Sequence, residues 1–358
     1  MKKAFVLFSL MAISVAIQAH DFAVPSGTHT LYYSVTDVSK SEVCVTFQGN
    51  AVNASAVKPY TGMVQIPQTV KYNGKTYNVT SISDKAFCNA DKMTGITMSS
   101  GIKSIGLYAF DGCVSLENII FPGNPVEIGE GAFFRCPSIC RITFGSDWTG
   151  INLKWFRWSN SLTEIFVPAK IRQIQNMKSL VHLESISVDA NNPYYSSDQG
   201  MLYSIDGKTL YGAPRAIKDQ IQIKEGTERI YPGALADCYQ IKGMVFPSTL
   251  ISMSYTELSE LRELNSISFN SSTPISTASF EGEQVFALKL APQVSISVPK
   301  KALKNYKSAI VSEAGEYAEL EANVPANGNA AVITVPKIVR EGELAKAENL
   351  NGDKGLGK

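Results

Sequence analysis

The chain has 358 residues and a formal net charge of +1, from 33 lysines and arginines against 32 aspartates and glutamates. So even a balance gives no long-range field to draw in phosphate backbones or anionic lipid, which excludes nucleic-acid binding and electrostatic membrane binding as leading functions while leaving room for a local patch. Length alone suggests about two domains, but internal repetition overrides that count.

Residues 1–19 read as an export signal: Lys2 and Lys3 give the positive start, residues 4–17 are apolar, and Ala19 is a small residue at the cleavage point. That stretch is shorter than the roughly 20 apolar residues a spanning helix needs, and nothing later is longer, so no transmembrane segment is expected after cleavage. The mature chain then begins near His20 and is exported, to the extracellular space or the outer cell surface. No cysteine precedes Cys44, so an N-terminal lipid anchor is not expected. Residues 20–62 hold strand-like runs at 31–35 and 43–47 between Ser/Asn/Gly-rich turns and read as an N-terminal β cap, because the bare end of a repeat array leaves strand edges and core exposed. Tyr72-Asn73-Gly74-Lys75 then signals a hairpin.

From 63 to 310 one frame recurs. Ala86-Phe87, Ala109-Phe110 and Ala132-Phe133 are 23 residues apart, and each alanine lies four positions after an isoleucine, Ile82, Ile105 or Ile128. Apolar residues follow at fixed offsets: Met93, Ile96 and Met98; Leu116, Ile119 and Phe121; Ile139, Ile142 and Phe144. The frame returns at Ile230, Ala234, Ile241, Met244 and Phe246, and at Ile151, Leu162, Ile165 and Val167 with Trp155 in the alanine slot. Alternation in its last positions is the mark of a half-buried strand. Such strands are expected at 64–66, 96–98, 119–121, 142–144, 165–167, 186–188, 221–223, 244–246, 267–269 and 296–298, stacked at roughly 4.8 Å into one sheet on the order of 45 Å long. One coil cannot bury its own apolar side and stacked coils can, which places Ile105, Ile128 and Ile151 in one column. Beyond 310 the pattern fades: residues 311–358 are expected to be weakly structured, with a short helix over 311–322, a strand over 331–335 and a frayed charged run over 340–358.

This pattern of isoleucine, Ala-Phe, cysteine and strand at a 23-residue period resembles the BspA-type leucine-rich repeats of bacterial surface proteins, a class close to the repeats of treponemal surface antigens. Asn191-Asn192-Pro193-Tyr194-Tyr195, with Gly200-Met201-Leu202-Tyr203 and Asp206-Gly207-Lys208-Thr209-Leu210, resembles the hairpin insertion of such proteins, at about 191–215. Val298-Pro299-Lys300-Lys301 and Tyr306-Lys307 resemble their last coil. The resemblance covers roughly residues 60–310. It implies a leucine-rich-repeat solenoid: short parallel β-strands stacked into one sheet, an irregular or short helical convex side, β-hairpin insertions and the N-terminal β cap. For function it implies protein-protein interaction, as adhesion to host matrix or cell-surface proteins or to other bacteria. A surface glycan- or nutrient-binding protein and a structural envelope component stand as alternatives.

Chemistry-bearing residues are sparse. The three histidines are His20, His29 and His182, and there is no metal-ligand spacing, Gly-rich phosphate loop or nucleophile elbow. No catalytic residue, cofactor or metal site is therefore expected, and His182 reads as a surface residue. Of the six cysteines, Cys113, Cys136 and Cys238 fall four residues after the alanine slot, where Ala90 and Ser159 also stand, so the position wants a small buried side chain. One rung of separation would also admit a Cys113–Cys136 bridge; free thiols are the expectation. Cys44, Cys88 and Cys140 have no assignable partners, and no Cys-x-x-Cys pair points to zinc. Residues 189–192 look like the start of a calcium loop but lack its glycine and closing glutamate, and read as a solvated turn.

If the apolar rung positions face inward, their neighbours face solvent: Gly95 and Thr97, Asn118 and Ile120, Arg141 and Thr143, Glu164 and Phe166, Ser185 and Ser187, Gly243 and Val245, Ser266 and Ser268. On that small-residue face Asn118, Ile120, Arg141, Thr143, Glu164 and Phe166 are the candidate ligand-binding residues, joined by Trp158. Apolar groups beside charges suit an interaction centre, although Ile120 and Phe166 also suit a strand by propensity alone. Trp148, Trp155 and Trp158 share one coil, as core packing or as a stacking platform; a tight turn has no room for the Trp155 indole, so the coil must bulge or turn the ring outward.

Overall fold

The 23-residue period appears in the structure as strand register. The computed structural model describes residues 19–49, 55–254, 261–274, 276–278, 288–289, 294–311, 321–323 and 329–334; residues 1–18 of the expected export signal and the charged run at 340–358 lie outside them. Among the described residues the fold is built of many short strands and few helices. The chain divides into two compact units, Met1–Asp147 and Trp148–Lys358.

The first unit contains β1 (Phe22–Ser26), β2 (His29–Asp37), β3 (Glu42–Thr46), β4 (Thr61–Ile66), β5 (Thr69–Tyr72), β6 (Lys75–Ile82), β7 (Lys92–Met98), β8 (Ser104–Ile105), β9 (Asn118–Ile120), β10 (Glu127–Ile128) and β11 (Arg141–Thr143). They form two sheets, β1-β2-β3-β6-β8-β10 with β5 paired to β6, and β4-β7-β9-β11. The β5–β6 hairpin turns at Asn73 and Gly74, both with positive φ (48° and 76°), as an Asn-Gly turn requires. Repeat positions meet their counterparts one period on: Ile82, Ile105 and Ile128 align in one sheet, and Val64, Ile96, Ile119 and Ile142 in the other.

The turns that follow β6, β8 and β10 carry a column of buried rings. Tyr60, Phe87, Phe110 and Phe133 follow one another at centroid distances of 5.0, 5.1 and 5.0 Å, and the two phenylalanine pairs are within 2° of parallel. The turn carrying each Ala-Phe pair needs a left-handed residue just before the alanine (Lys85, Tyr108, Gly131) and another three after it (Asn89, Gly112, Arg135). This pairing tightens the corner enough for coil-to-coil backbone bonds, Phe87 N–H to Ala109 O at 2.7 Å and Phe110 N–H to Ala132 O at 2.8 Å. The Arg135 guanidinium adds a two-point bond to the Asp111 carboxylate at 2.8 and 2.7 Å.

Thiols fill the slot four residues after the alanine. Cys113 Sγ donates to Phe87 O at 3.1 Å and Cys136 Sγ to Phe110 O at 3.0 Å, so each closes a carbonyl of the preceding coil; all six cysteines are free. Burial pushes the Cys44, Cys88 and Cys113 thiols above the ordinary thiol range and keeps them protonated at neutral pH. Because the thiolate is the reactive form, Cys140, the one exposed cysteine, is expected to react with a disulfide reagent at pH 8 in native protein. The five buried thiols are expected to react only in denaturant. Rapid native reaction of more than one thiol per chain would contradict this packing.

The second unit contains β12 (Gly150–Asn152), β13 (Glu164–Val167), β14 (Gln173–Gln175), β15 (Ser185–Val188), β16 (Tyr195–Asp198), β17 (Met201–Ser204), β18 (Thr209–Gly212), β19 (Asp219–Gln222), β20 (Arg229–Ile230), β21 (Ile241–Phe246), β22 (Ser252–Ser254) and β23 (Ser266–Phe269). β19, β21, β23 and Ser295–Pro299 run parallel, with Ile221, Met244, Ile267 and Ile296 in register. Phe246, Phe269 and Tyr306 stack at 5.0 and 5.1 Å in the core.

All ten expected rungs lie on strands, but they belong to three sheets rather than one: β4-β7-β9-β11, the pair β13-β15, and the sheet beginning β19-β21-β23. Within the second unit the reason is visible. The β16–β17 hairpin turns at Gln199 and Gly200, and Gly200 O accepts Ile186 N–H at 2.9 Å, so the hairpin tip takes the edge of β15. Ile151 pairs with Ile174 across β12 and β14, in the other compact unit from Ile105 and Ile128. Trp155 changes its coil as its size demands. A 3-10 turn over Leu153–Phe156, capped by Asn152 Oδ1 accepting Lys154 N–H at 3.0 Å, replaces the left-handed corner. Phe156 is buried, and the half-buried Trp155 ring stands edge-on to buried Trp148 at 6.2 Å rather than turning outward.

The tail and the turn at 189–192 differ in part from expectation. Most of the helix expected over 311–322 falls on residues 312–320, outside the described ones; its described ends, Val311 and residues 321–322, lie in the strands Ile310–Val311 and Glu321–Asn323, and a helix precedes it at Leu303–Ala309. The strand expected at 331–335 is Ala330–Thr334, antiparallel to Ser295–Pro299 with Ala331 and Ile333 buried, so this part of the tail is packed. The presumed solvated turn at 189–192 contains Asn192, only 1% exposed.

Candidate functional site

Alternation delivers the first unit's candidate residues to one sheet face. Asn118 and Ile120 flank buried Ile119 on β9, Arg141 and Thr143 flank Ile142 on β11, and pairing aligns Asn118 with Arg141 and Ile120 with Thr143. Ile120 is 38% exposed, Arg141 and Thr143 are exposed, and Asn118 is half-buried. One neighbour was not legible from the repeat frame. Met63 on β4, 50% exposed, lies opposite Gly95 because a bulge shifts the β4–β7 register between Gly62 and Met63. Its thioether covers the glycine: a Cβ at Gly95 would come within 2.6 Å of Met63 Sδ. Gly95, expected on the open face, is therefore buried, and the signal for this was the glycine itself, standing where adjacent coils carry Asn118 and Arg141.

In the second unit Glu164 and Phe166 point outward from β13, opposite Ser185 and Ser187 of β15, and Phe166 is 51% exposed. Gly243, also expected outside, is buried beside Gln220 and Ser266. Trp158 is exposed with the Arg157 guanidinium 5.5 Å from its ring, but it lines a concavity whose wall contains neither Glu164 nor Phe166. The seven candidates thus lie on a sheet face in one unit, and on a sheet face and a separate concavity in the other. None is placed for nucleophilic or acid-base chemistry, and His182 is exposed. Among the described residues no group of three or more His, Cys, Asp or Glu could hold a metal ion.

The sequence signature of the BspA type leucine rich repeat region matches in six copies over residues 79–197 and 204–310. The chain belongs to this BspA-type family. The alanine slots at 86, 109, 132 and 234, with the ring column at Phe87, Phe110 and Phe133, fall within the matched residues. Solved structures of similar arrangement include a leucine-rich repeat protein from Bacteroides ovatus (17% identity, 82% of each chain, TM-score 0.41). A leucine rich cell surface protein from Faecalibacterium prausnitzii is also similar (19%, 70% of this chain and 77% of that one, TM-score 0.38). So is the pneumococcal vaccine antigen PcpA (17%, 82% and 98%, TM-score 0.39). A comparison with curated proteins finds no match. No helix among the described residues is long and apolar enough to cross a membrane.

Proposed function

We propose that this BspA-type chain is an exported, non-enzymatic surface protein that holds its strand faces out to bind other proteins, as an adhesin for host matrix or cell-surface proteins. In this reading residues 20–62 cap the array, residues 63–310 form a solenoid of repeats and residues 311–358 trail it. The observation that carries the proposal is the face of β4-β7-β9-β11. Met63 and Ile120 stand exposed there among Gln65, Thr97, Asn118, Thr143 and the cation of Arg141. Large apolar groups ringed by polar ones are the composition of a protein-binding centre rather than of an idle surface. Glu164 and Phe166 offer a smaller version of the same arrangement.

An array of matrix proteins, mucins and polysaccharides is the direct test. A matrix or cell-surface protein is expected to be retained, and Ile120→Asp with Met63→Asp is expected to weaken that binding about tenfold or more, as loss of central apolar contacts does. The fold should persist, since both side chains are exposed. Retention that survives both this double variant and Phe166→Asp would remove the strand faces from the reading.

A further inference from the structure

We infer that the second unit carries a separate binding site, a basic and aromatic groove on its turn side that takes an acidic carbohydrate chain bearing carboxylate or sulfate groups. Two concavities of about 670 and about 320 Å³ share Asn176, Lys178 and Arg215 in their walls and so adjoin along one groove. The groove is distinct from the strand faces, because no residue of β13 or β15 lines it.

Its charge is one-sided. Lys154, Arg157 and Lys178 line it, are exposed, and have no carboxylate partner among the described residues. Arg215, at the junction, donates from Nη1 to Lys178 O at 2.7 Å and holds the Asp237 carboxylate at 3.4 Å. Asp237 is the one carboxylate of the lining, and it also accepts a bond from the Tyr239 hydroxyl, so it leaves the lysines free. Arg215 Nε is buried with no acceptor, an unsatisfied donor where the two concavities meet. In a protein whose net charge is +1, this local excess of cations selects an anionic ligand.

The walls select among anions. Trp158 is 47% and Tyr231 54% exposed, and Tyr231 continues a file of rings through Tyr211 to Tyr195 at 5.7 Å steps. Flat aromatic faces suit the C–H face of a pyranose, while the cations and the Asn160 and Asn176 amides suit its acidic groups and hydroxyls. A peptide held by an apolar anchor would need a deep pocket for it. Met177 fills that space, lying so close over Gly212 that a Cβ there would stand 2.8 Å from its Sδ.

The test uses the full chain, with a chondroitin sulfate oligosaccharide as probe and dextran and polyglutamate as comparators, read by calorimetry and tryptophan fluorescence. Chondroitin sulfate is expected to bind and dextran not to. Lys154→Glu with Lys178→Glu should weaken binding about tenfold or more, and Trp158→Ala several-fold even in salt that screens exposed charges. Lys71→Glu with Lys92→Glu, an equal charge change at exposed sites of the first unit, should leave binding unchanged. Absence of chondroitin sulfate binding overturns the proposal. So does equal weakening by the Lys71 and Lys92 pair, or polyglutamate binding as tightly with Trp158→Ala harmless, which would mark the groove as an acidic-peptide site.

Discussion

Replacing Phe110 with alanine is expected to destabilise the first unit by about 3–5 kcal/mol, the range for emptying a phenylalanine-sized space in a packed core. The Phe110 ring is fully buried, with Phe87 and Phe133 parallel to it at 5.1 and 5.0 Å, so a truncated side chain strips one face from each neighbour. Its backbone is committed too: the N–H bonds to Ala132 O and the carbonyl accepts the Cys136 thiol. Collapse of the space would strain bonds to the next coil, which limits relaxation and places the cost toward the upper end. Leucine fills much of the volume but loses the ring-on-ring term of about 0.5–1.5 kcal/mol per pair, so Phe110→Leu should fall between alanine and native. Repeats are stabilised mainly through their neighbours, so urea midpoints should be read by a probe of the first unit, such as hydrogen exchange at the Phe87 and Phe110 amides. A loss below about 1 kcal/mol for the alanine variant would mean that the ring column is not what holds these coils together.

What the sequence made legible, and what it did not, follows from how each feature is encoded. Inward residues recur because each must meet its own kind one period on, so all ten rungs could be read from side chains alone. The left-handed positions were not read. Lys85, Tyr108 and Gly131 share a conformation and no side-chain chemistry, as do Asn89, Gly112 and Arg135, and a backbone requirement met by such different residues leaves no periodic signal. The division of the rungs into three sheets was hidden for another reason. Within the second unit it depends on which edge the β16–β17 hairpin reaches, a long-range choice made by bonds from Ile186 N–H to Gly200 O and from Val188 N–H to Ser197 Oγ. The sheet-face candidates were legible by alternation. Met63 escaped because a bulge breaks that alternation, and the groove around Trp158 escaped because its walls come from residues 154–237 on several coils.

The same hairpin explains the second large effect, at a residue that reads in sequence as part of an ordinary turn. Asn192 is buried, and its amide is fully used: Nδ2 donates to Pro168 O and Ile171 O, both at 2.9 Å, and Oδ1 accepts Tyr194 N–H at 2.8 Å and Tyr195 N–H at 2.9 Å. It ties the end of one coil to the first residue of β16, whose hairpin then covers the edge of β15. Alanine would leave these backbone groups short of partners at about 1–3 kcal/mol for each one that water cannot reach, for an expected total near 3–4 kcal/mol. Aspartate separates shape from hydrogen bonding. Nearly isosteric, it keeps the acceptor but turns a second oxygen toward the Pro168 and Ile171 carbonyls, an environment that disfavours the charged form and raises the carboxyl pKa in the folded state. The folded protein then binds a proton more tightly than the unfolded chain, so stability relative to native should recover as pH falls through that raised pKa and be lowest above it. Urea midpoints of Asn192→Asp at pH 7.5 and pH 5 should therefore move toward the native midpoint at the lower pH, while those of Asn192→Ala keep their distance from it. An aspartate variant as stable as native at pH 7.5 would show that the two donor bonds carry little of the tie.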